Sequence, residues 1–379
     1  MKMLHKLMVS IAVLLTVSAC SNEDGVSIAT GQFKDSNTSG ISYVSGGQSG
    51  TTDLNGSFNY ETGKTVTFSI GGVTLGTANG KSVITPVDLI PNGRSSSIEV
   101  LNITRFLLML DADGDPSNGI HIPAEVQTVA NDWTQVNFGM TDISTGLTTI
   151  ISNAISASGG VHALPNASTA QGHLETTLLC SYAGAYTGTY SGGDNGNFGF
   201  LVNAATGNIE GAAYSIPEKE YINLTGTTPI SYDQNVAFVS GDASKDATFS
   251  GAFSSVNEVA GTWENTTLSI NGDFSGARIG GVVNALHRFT GNYIGGDFGL
   301  FSFDIDDSNA VTGIAYSIAD AEMFTLSGSV TGTTLTASIT GGATITGTLN
   351  TETGALDGTW NNSAENLSGT FSGNGCQLN

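Results

Sequence analysis

The chain has 379 residues, a formal net charge of −22, 12% charged and 39% hydrophobic residues, and 51 glycines. So acidic a chain is repelled by nucleic acid and by anionic membrane surfaces, which excludes both as partners recognised through charge. The apolar fraction suffices for packed cores, the length allows two or three domains, and the glycine content predicts many short strands and tight turns.

Residues 1–19 read as a signal peptide: basic Lys2 and Lys6, an apolar run from Leu7 to Val17, then the small Ser18 and Ala19. The run is too short to span a bilayer, which takes about 20 apolar residues. Cleavage before Cys20 removes two lysines and no acid, so −22 becomes −24. Val17-Ser18-Ala19-Cys20 resembles the lipobox of bacterial lipoproteins. That resemblance implies lipidation of Cys20 with diacylglycerol and palmitate, and so a membrane as partner. Ser21, where an Asp would retain the protein at the inner membrane, implies the outer membrane, with either face open.

Residues 20–39 are polar and aperiodic and read as lipid anchor and tether. Residues 40–97 read as a small β domain, in which Val66, Phe68 and Ile70 alternate onto one face. Its Thr52-Asp53-Leu54-Asn55-Gly56-Ser57-Phe58 run resembles carboxypeptidase-regulatory-like, prealbumin-like modules. Residues 98–181 form a helical segment that packs on those strands. Ile98, Leu101, Ile103, Phe106, Leu107 and Leu110 give a wide apolar face on a first helix. Pro123 suits the first turn of a second, and Ser168 is an N-cap for a third running through Leu178 and Leu179.

From Tyr182 onward the chain repeats itself. Gly188-Thr189-Tyr190-Ser191-Gly192-Gly193-Asp194 matches Gly291-Asn292-Tyr293-Ile294-Gly295-Gly296-Asp297; Ala213-Tyr214-Ser215-Ile216 matches Ala315-Tyr316-Ser317-Ile318; Gly261-Thr262-Trp263 matches Gly358-Thr359-Trp360. So many matches in one order mean a duplication, with units at 182–280 and 286–379. Turn signals divide each unit into about eight strands, in the second near 289–294, 300–305, 311–318, 322–329, 334–339, 344–349, 355–360 and 366–372. Consecutive hairpins favour an antiparallel meander barrel, which leaves no sheet edge exposed. Phe301, Phe303 and Ile305 point one way and Ser302, Asp304 and Asp306 the other. A membrane barrel would show the aromatic face to lipid; strands this short, without aromatic girdles, favour a soluble barrel that buries it. The fold class is therefore mainly β: a small N-terminal β domain, a helical middle segment and two tandem eight-stranded antiparallel meander barrels.

Thr248-Phe249-Ser250-Gly251-Ala252-Phe253 and Glu258-Val259-Ala260-Gly261-Thr262-Trp263 resemble the barrels of transferrin-binding-type surface lipoproteins, and the whole mature chain resembles Gram-negative outer-membrane lipoproteins of marine type. In the second unit Leu349 and Asp357 depart from the pattern.

Asp111-Ala112-Asp113-Gly114-Asp115 places three carboxylates at alternate positions, a spacing that resembles thrombospondin-type calcium repeats and makes Asp111, Asp113 and Asp115 calcium candidates. The competing reading is a helix-exit loop whose aspartates cap turns. Asp194 and Asp297 sit in Gly-Gly-Asp hairpins, and Trp263 and Trp360 read as barrel anchors ahead of ligand platforms. Of the 3 cysteines, Cys180 and Cys376 remain as a disulfide pair for an oxidising compartment. His121, His162, His173 and His287 are scattered; His162 and His173 could meet around a helix start, but solvated histidines are the favoured reading. There is no metalloprotease helix, nucleophile elbow or phosphate loop. The expectation is a non-catalytic binding module for a protein, glycan or small ligand; the alternatives are a structural or adhesive envelope component and a hydrolase with an unrecognised loop site. The repeats differ at Pro229–Asp246, longer than Thr331–Gly342 and carrying Tyr232 and Phe238, which marks it for recognition. A lined cavity in the barrels would favour ligand binding, a solid core adhesion.

Overall fold

The computed structural model describes residues 26–228, 237–281, 285–320 and 322–378; Cys20 and Tyr232 lie outside them. The N-terminal strands are β1 (Ile28–Phe33), β2 (Thr38–Ser39), β3 (Ser42–Ser45), β4 (Gln48–Thr51), β5 (Ser57–Glu61), β6 (Thr65–Ile70), β7 (Val73–Asn79) and β8 (Val83–Ile84). They form a sheet ordered β5-β1-β8 and another ordered β4-β3-β6-β7. Then come α1 (Ile98–Leu110), β9 (Ile120–His121), α2 (Ala124–Ala130), α3 (Ser144–Ser158) and α4 (Ala167–Tyr182). Phe33, Phe58, Phe68, Phe106, Val126 and Leu147 belong to one core, so the strands and α1–α3 are a single packed unit.

Three sequence expectations change here. The tether does not extend to residue 39, because β1 is built into the β5-β1-β8 sheet and β2 pairs with Ile120–His121 in a small parallel sheet. Hydropathy misses this stretch because its polar side chains are buried but bonded: Thr38 Oγ1 donates to the Asp35 carbonyl at 3.3 Å and Ser39 Oγ to that of Ile120 at 3.4 Å. The cap of α4 is Asn166, whose Oδ1 accepts from Thr169 N at 2.8 Å, not Ser168. And α3 is a further helix, not among the three singled out within the helical segment, that buries Leu147, Ile150 and Ala154 at helical spacing.

The rest of the chain is two closed barrels of eight strands each. The first runs β10 (Gly184–Gly192), β11 (Gly196–Val202), β12 (Asn208–Ser215), β13 (Glu220–Thr227), β14 (Ala237–Ala243), β15 (Ala247–Ser255), β16 (Glu258–Asn265) and β17 (Ile270–Ile279). The second runs β18 (Ala285–Gly295), β19 (Gly299–Asp306), β20 (Ala310–Ser317), β21 (Glu322–Thr331), β22 (Thr334–Ile339), β23 (Thr344–Leu349), β24 (Ala355–Asn362) and β25 (Leu367–Gln377). Every pairing is antiparallel and sequential, and β10–β17 and β18–β25 close the rings. The aromatic face is inside: Phe301, Phe303 and Ile305 lie in the core of the second barrel.

The glycines have a steric purpose. A Cβ at Gly251 or Gly261, which face each other across β15 and β16, would stand 2.7 Å from the Phe274 ring. The large rings lie flat across glycines of neighbouring strands, so a barrel wall this rich in phenylalanine needs them.

Both barrels rest on α4. Leu174 and Leu178 pack with Tyr186, Phe200 and Phe253 at the lower end of the first barrel. Arg288 of the second grips Asp304 through two 2.9 Å bonds and reaches the carbonyls of Cys180 and Ala183, at the C-terminus of α4, at 3.5 and 3.4 Å. Asp304 thus points out of its barrel as expected, but into this junction rather than to solvent; it is 0% exposed. Cys180 and Cys376 are joined by a disulfide, which ties β25 to the same helix end.

Candidate ligand-binding cavities in the two barrels

Eight-stranded barrels are narrow enough for side chains to fill or to leave room for one small ligand. Here the lower half is filled. Tyr186 stacks on Phe200 with centroids 5.4 Å apart, touches Phe253 at 5.0 Å, and donates from its hydroxyl to the Tyr182 and Val256 carbonyls at 2.8 and 3.0 Å. In the second barrel Phe289 stacks on Phe303 at 5.4 Å.

The upper half is hollow in both. The first barrel holds a cavity of about 500 Å³ and the second one of about 310 Å³. Their walls correspond residue by residue: Tyr190, Phe198 and Phe200 against Tyr293, Phe301 and Phe303. Trp263 and Phe274 likewise answer Trp360 and Phe371, and the small Ala213 and Ala315 leave the room. Both open at the end where β10–β11, β12–β13, β14–β15 and β16–β17, or their counterparts, turn. The openings are neighbours on one face. Tyr221 of the first barrel donates to the Ala319 carbonyl of the second at 2.6 Å, and its ring contacts Phe298 at 6.2 Å. Six exposed apolar side chains (Ile216, Tyr221, Leu268, Ile294, Phe298 and Met323) border the two mouths.

The Gly-Gly-Asp hairpins are latches. Asp194 accepts from the Tyr190 hydroxyl at 3.0 Å, from Ser215 Oγ at 2.9 Å and from Asn195 N at 2.7 Å. Asp297 repeats this with Tyr293 at 3.0 Å, Ser317 Oγ at 3.0 Å and Phe298 N at 2.7 Å. Burial, then the adjoining carboxylate, pushes both phenols well above their ordinary range, so each stays a donor. Trp263 and Trp360 spend their indole N–H on the Ser191 and Ile294 carbonyls, both at 3.1 Å, which leaves apolar rings as cavity wall. They are anchors and lining at once.

The other sequence candidates lie apart from the cavities. Asp113 accepts from Asp115 N at 3.0 Å and Asn118 Nδ2 at 2.9 Å, and Asp115 from Ser117 N at 3.1 Å, so both hold turns. Asp111 is buried, accepts from His121 N at 2.9 Å with one oxygen and leaves the other without a partner; burial foremost raises its pKa to about 6. Among the described residues no group of three His, Cys, Asp or Glu is placed to hold a metal ion. His162 is not solvated: it is buried, with one ring nitrogen 2.9 Å from the Met109 carbonyl and the other 2.6 Å from Ser158 Oγ. His173 Nε2 stands 3.4 Å from the fully buried Asp35 and 3.5 Å from Ser36 Oγ. One nitrogen faces both partners, so this trio cannot relay a proton as a hydrolytic triad does. In Pro229–Asp246, residues 229–236 and the Phe238 side chain lie outside the described set; its last part supplies Ser244 and Lys245 to the first cavity.

Fold and site together define a tandem meander-barrel protein with a hollow mouth in each barrel. No family model and no curated protein matches the chain. Among solved structures it is similar to a mutant of the vaccine antigen transferrin binding protein B from Haemophilus parasuis, at 11% identity over 52% of this chain and 76% of that one, with a TM-score of 0.20. It is similar to intact Ap-TbpB with N and C lobes at 11% identity, over 51% and 77%, also with a TM-score of 0.20. These are proteins of the transferrin-binding type, the type that the Thr248–Trp263 runs resemble. The superpositions are loose.

Proposed function

We propose that this is a non-catalytic binding protein, held at the outer membrane by lipid on Cys20, that takes small apolar ligands into the mouths of its barrels. The supporting observation is that duplication kept a hollow in the same place, with five aromatic wall positions in common, in both repeats. A purely adhesive barrel has no need of an empty upper half, since dense packing is the more stable state. Among the described residues the cavity linings hold no histidine, and the rim phenols Tyr190 and Tyr293 are locked to Asp194 and Asp297; the remaining lining carboxylates, Glu218 and Glu220 in the first barrel and Asp320, Glu322 and Glu365 in the second, stand at the mouths, where they can meet the polar end of a ligand. The apolar border of the mouths supports a second role, as a docking surface for a macromolecular partner, because exposed apolar clusters mark interaction sites.

The test uses the mature chain from Cys20 with Cys20→Ser, so that no acyl chain competes. The neutral fluorophore N-phenyl-1-naphthylamine will brighten saturably with about two equivalents bound. Ala213→Phe and Ala315→Phe, each filling one cavity, will each remove about one equivalent. The absence of saturable brightening would refute ligand binding. For the anchor, Cys20→Ala in cells will abolish fatty-acid labelling; a labelled variant would refute lipidation at this position.

A further inference from the structure

The two repeats differ in charge at their mouths. Glu220 and Glu322 are equivalent first residues of β13 and β21, and each lines its cavity. In the first barrel Lys245 pairs with Glu220. In the second, Gly341 holds the position of Lys245: Asn265 Nδ2 donates to the Lys245 carbonyl at 2.7 Å and Asn362 Nδ2 to that of Gly341 at 3.2 Å. One turn further on, Leu268 of the first cavity is answered by Glu365 of the second. Ring content is conserved overall, because Phe249 becomes Ile345 while Ile222 becomes Phe324.

The second cavity is therefore an aromatic pocket whose lining carries Asp297, Asp320, Glu322 and Glu365 and, among the described residues, no lysine or arginine. The first carries three carboxylates, one of them neutralised by Lys245, and an apolar Leu268. A cation over aromatic faces is stabilised by their quadrupoles, and a mouth of one sign focuses the field on what enters. Resting on the reading that the cavities bind ligands, we infer that the barrels sort them by charge. The second selects an apolar molecule with a cationic end, an alkyl- or arylamine; the first takes apolar molecules without that preference.

Three ligands with one tail and three head groups test this: dodecan-1-ol, dodecylammonium and laurate, on the same mature chain with Cys20→Ser. Trp263→Phe leaves Trp360 to report the second cavity, and Trp360→Phe leaves Trp263 to report the first; Trp133 stays buried in the N-terminal core throughout. In the second cavity dodecylammonium will bind about tenfold tighter than dodecanol and laurate more weakly than either, as two or three half-exposed charge and ring contacts provide. In the first the three affinities will fall within about threefold, since Lys245 offsets Glu220. Glu322→Gln with Glu365→Gln will bring the ammonium-to-alcohol ratio of the second cavity near one. Alcohol binding in both with equal ammonium and laurate affinity in the second would overturn the sorting and leave ligand binding intact. Alcohol binding in neither would overturn the underlying reading.

Discussion

Asp304→Ala will destabilise the protein by about 3–5 kcal/mol, the cost of removing one partner from a buried ion pair. Asp304 is 0% and Arg288 5% exposed, and the fork between them is bidentate at 2.9 Å on both arms. The surroundings make this pair more consequential than most. Arg278 and Lys34 lie in the same junction, so three cations share Asp304. Burial foremost, then Arg288, lowers Lys34 to about 7, while Asp304 opposes that fall. Without Asp304 the Arg288 guanidinium keeps only the carbonyls at the end of α4, a favourable place for a cation but one unable to neutralise it. Urea denaturation of the variant reads the loss directly. Arg288→Met combined with Asp304→Ala will recover part of it, because an apolar pair leaves no buried charge. A loss below about 1 kcal/mol in Asp304→Ala would show that the junction does not depend on the pair.

The same residue marks where the sequence can be read and where it cannot. Strand order and spacing in the second barrel were legible because glycine, asparagine and aspartate punctuate every hairpin; the expected 334–339 and 344–349 are β22 and β23 to the residue. Alternation also placed Phe301 and Phe303 inside. It placed Asp304 on the opposite face without showing what covers it, because a period of two reports one sheet's faces and is blind to a second barrel and a helix end packed outside it. The helix α3 was missed because serine, threonine and isoleucine dominate it, residues of indifferent helix propensity, and its helicity comes from burying Leu147, Ile150 and Ala154. Residues 28–39 looked like tether because their burial is secured by hydrogen bonds, which hydropathy does not record. The cavities were illegible for a different reason. An inward aromatic pattern is the same for a filled barrel and a hollow one; what decides is volume, set by Ala213 and Ala315 and by how far the stack at Tyr186 and Phe289 rises. The Lys245-for-Gly341 and Leu268-for-Glu365 exchanges are visible in the aligned repeats, but acquire meaning only once both positions are seen at a mouth.

Removing the disulfide with Cys180→Ser and Cys376→Ser will cost up to about 5 kcal/mol, the chain-entropy figure for closing a loop of this length. The cysteines are 196 positions apart, so the bond encloses nearly the whole of both barrels. Its contribution lies in the unfolded state, where it holds the end of the chain near the helix–barrel junction. The folded contacts at that end are few but converge: Leu378 N donates to the Leu286 carbonyl at 2.8 Å, and Lys34 Nζ donates to the Leu378 carbonyl at 2.5 Å. The strand β25 that carries Cys376 also closes the second barrel, pairing with β18 from Gln377 to Gly369. A chain without the bond can therefore lose that closure first, exposing two strand edges while the first barrel stays shut. Denaturation of the double Ser variant will show an early transition in which Trp360 changes and Trp263 does not, followed by the rest. Peptide mapping of the native protein without reductant will find Cys180 and Cys376 in one linked fragment. Two separately alkylated cysteines there, or a double variant that melts with the parent, would show that the terminus is held by its hydrogen bonds alone.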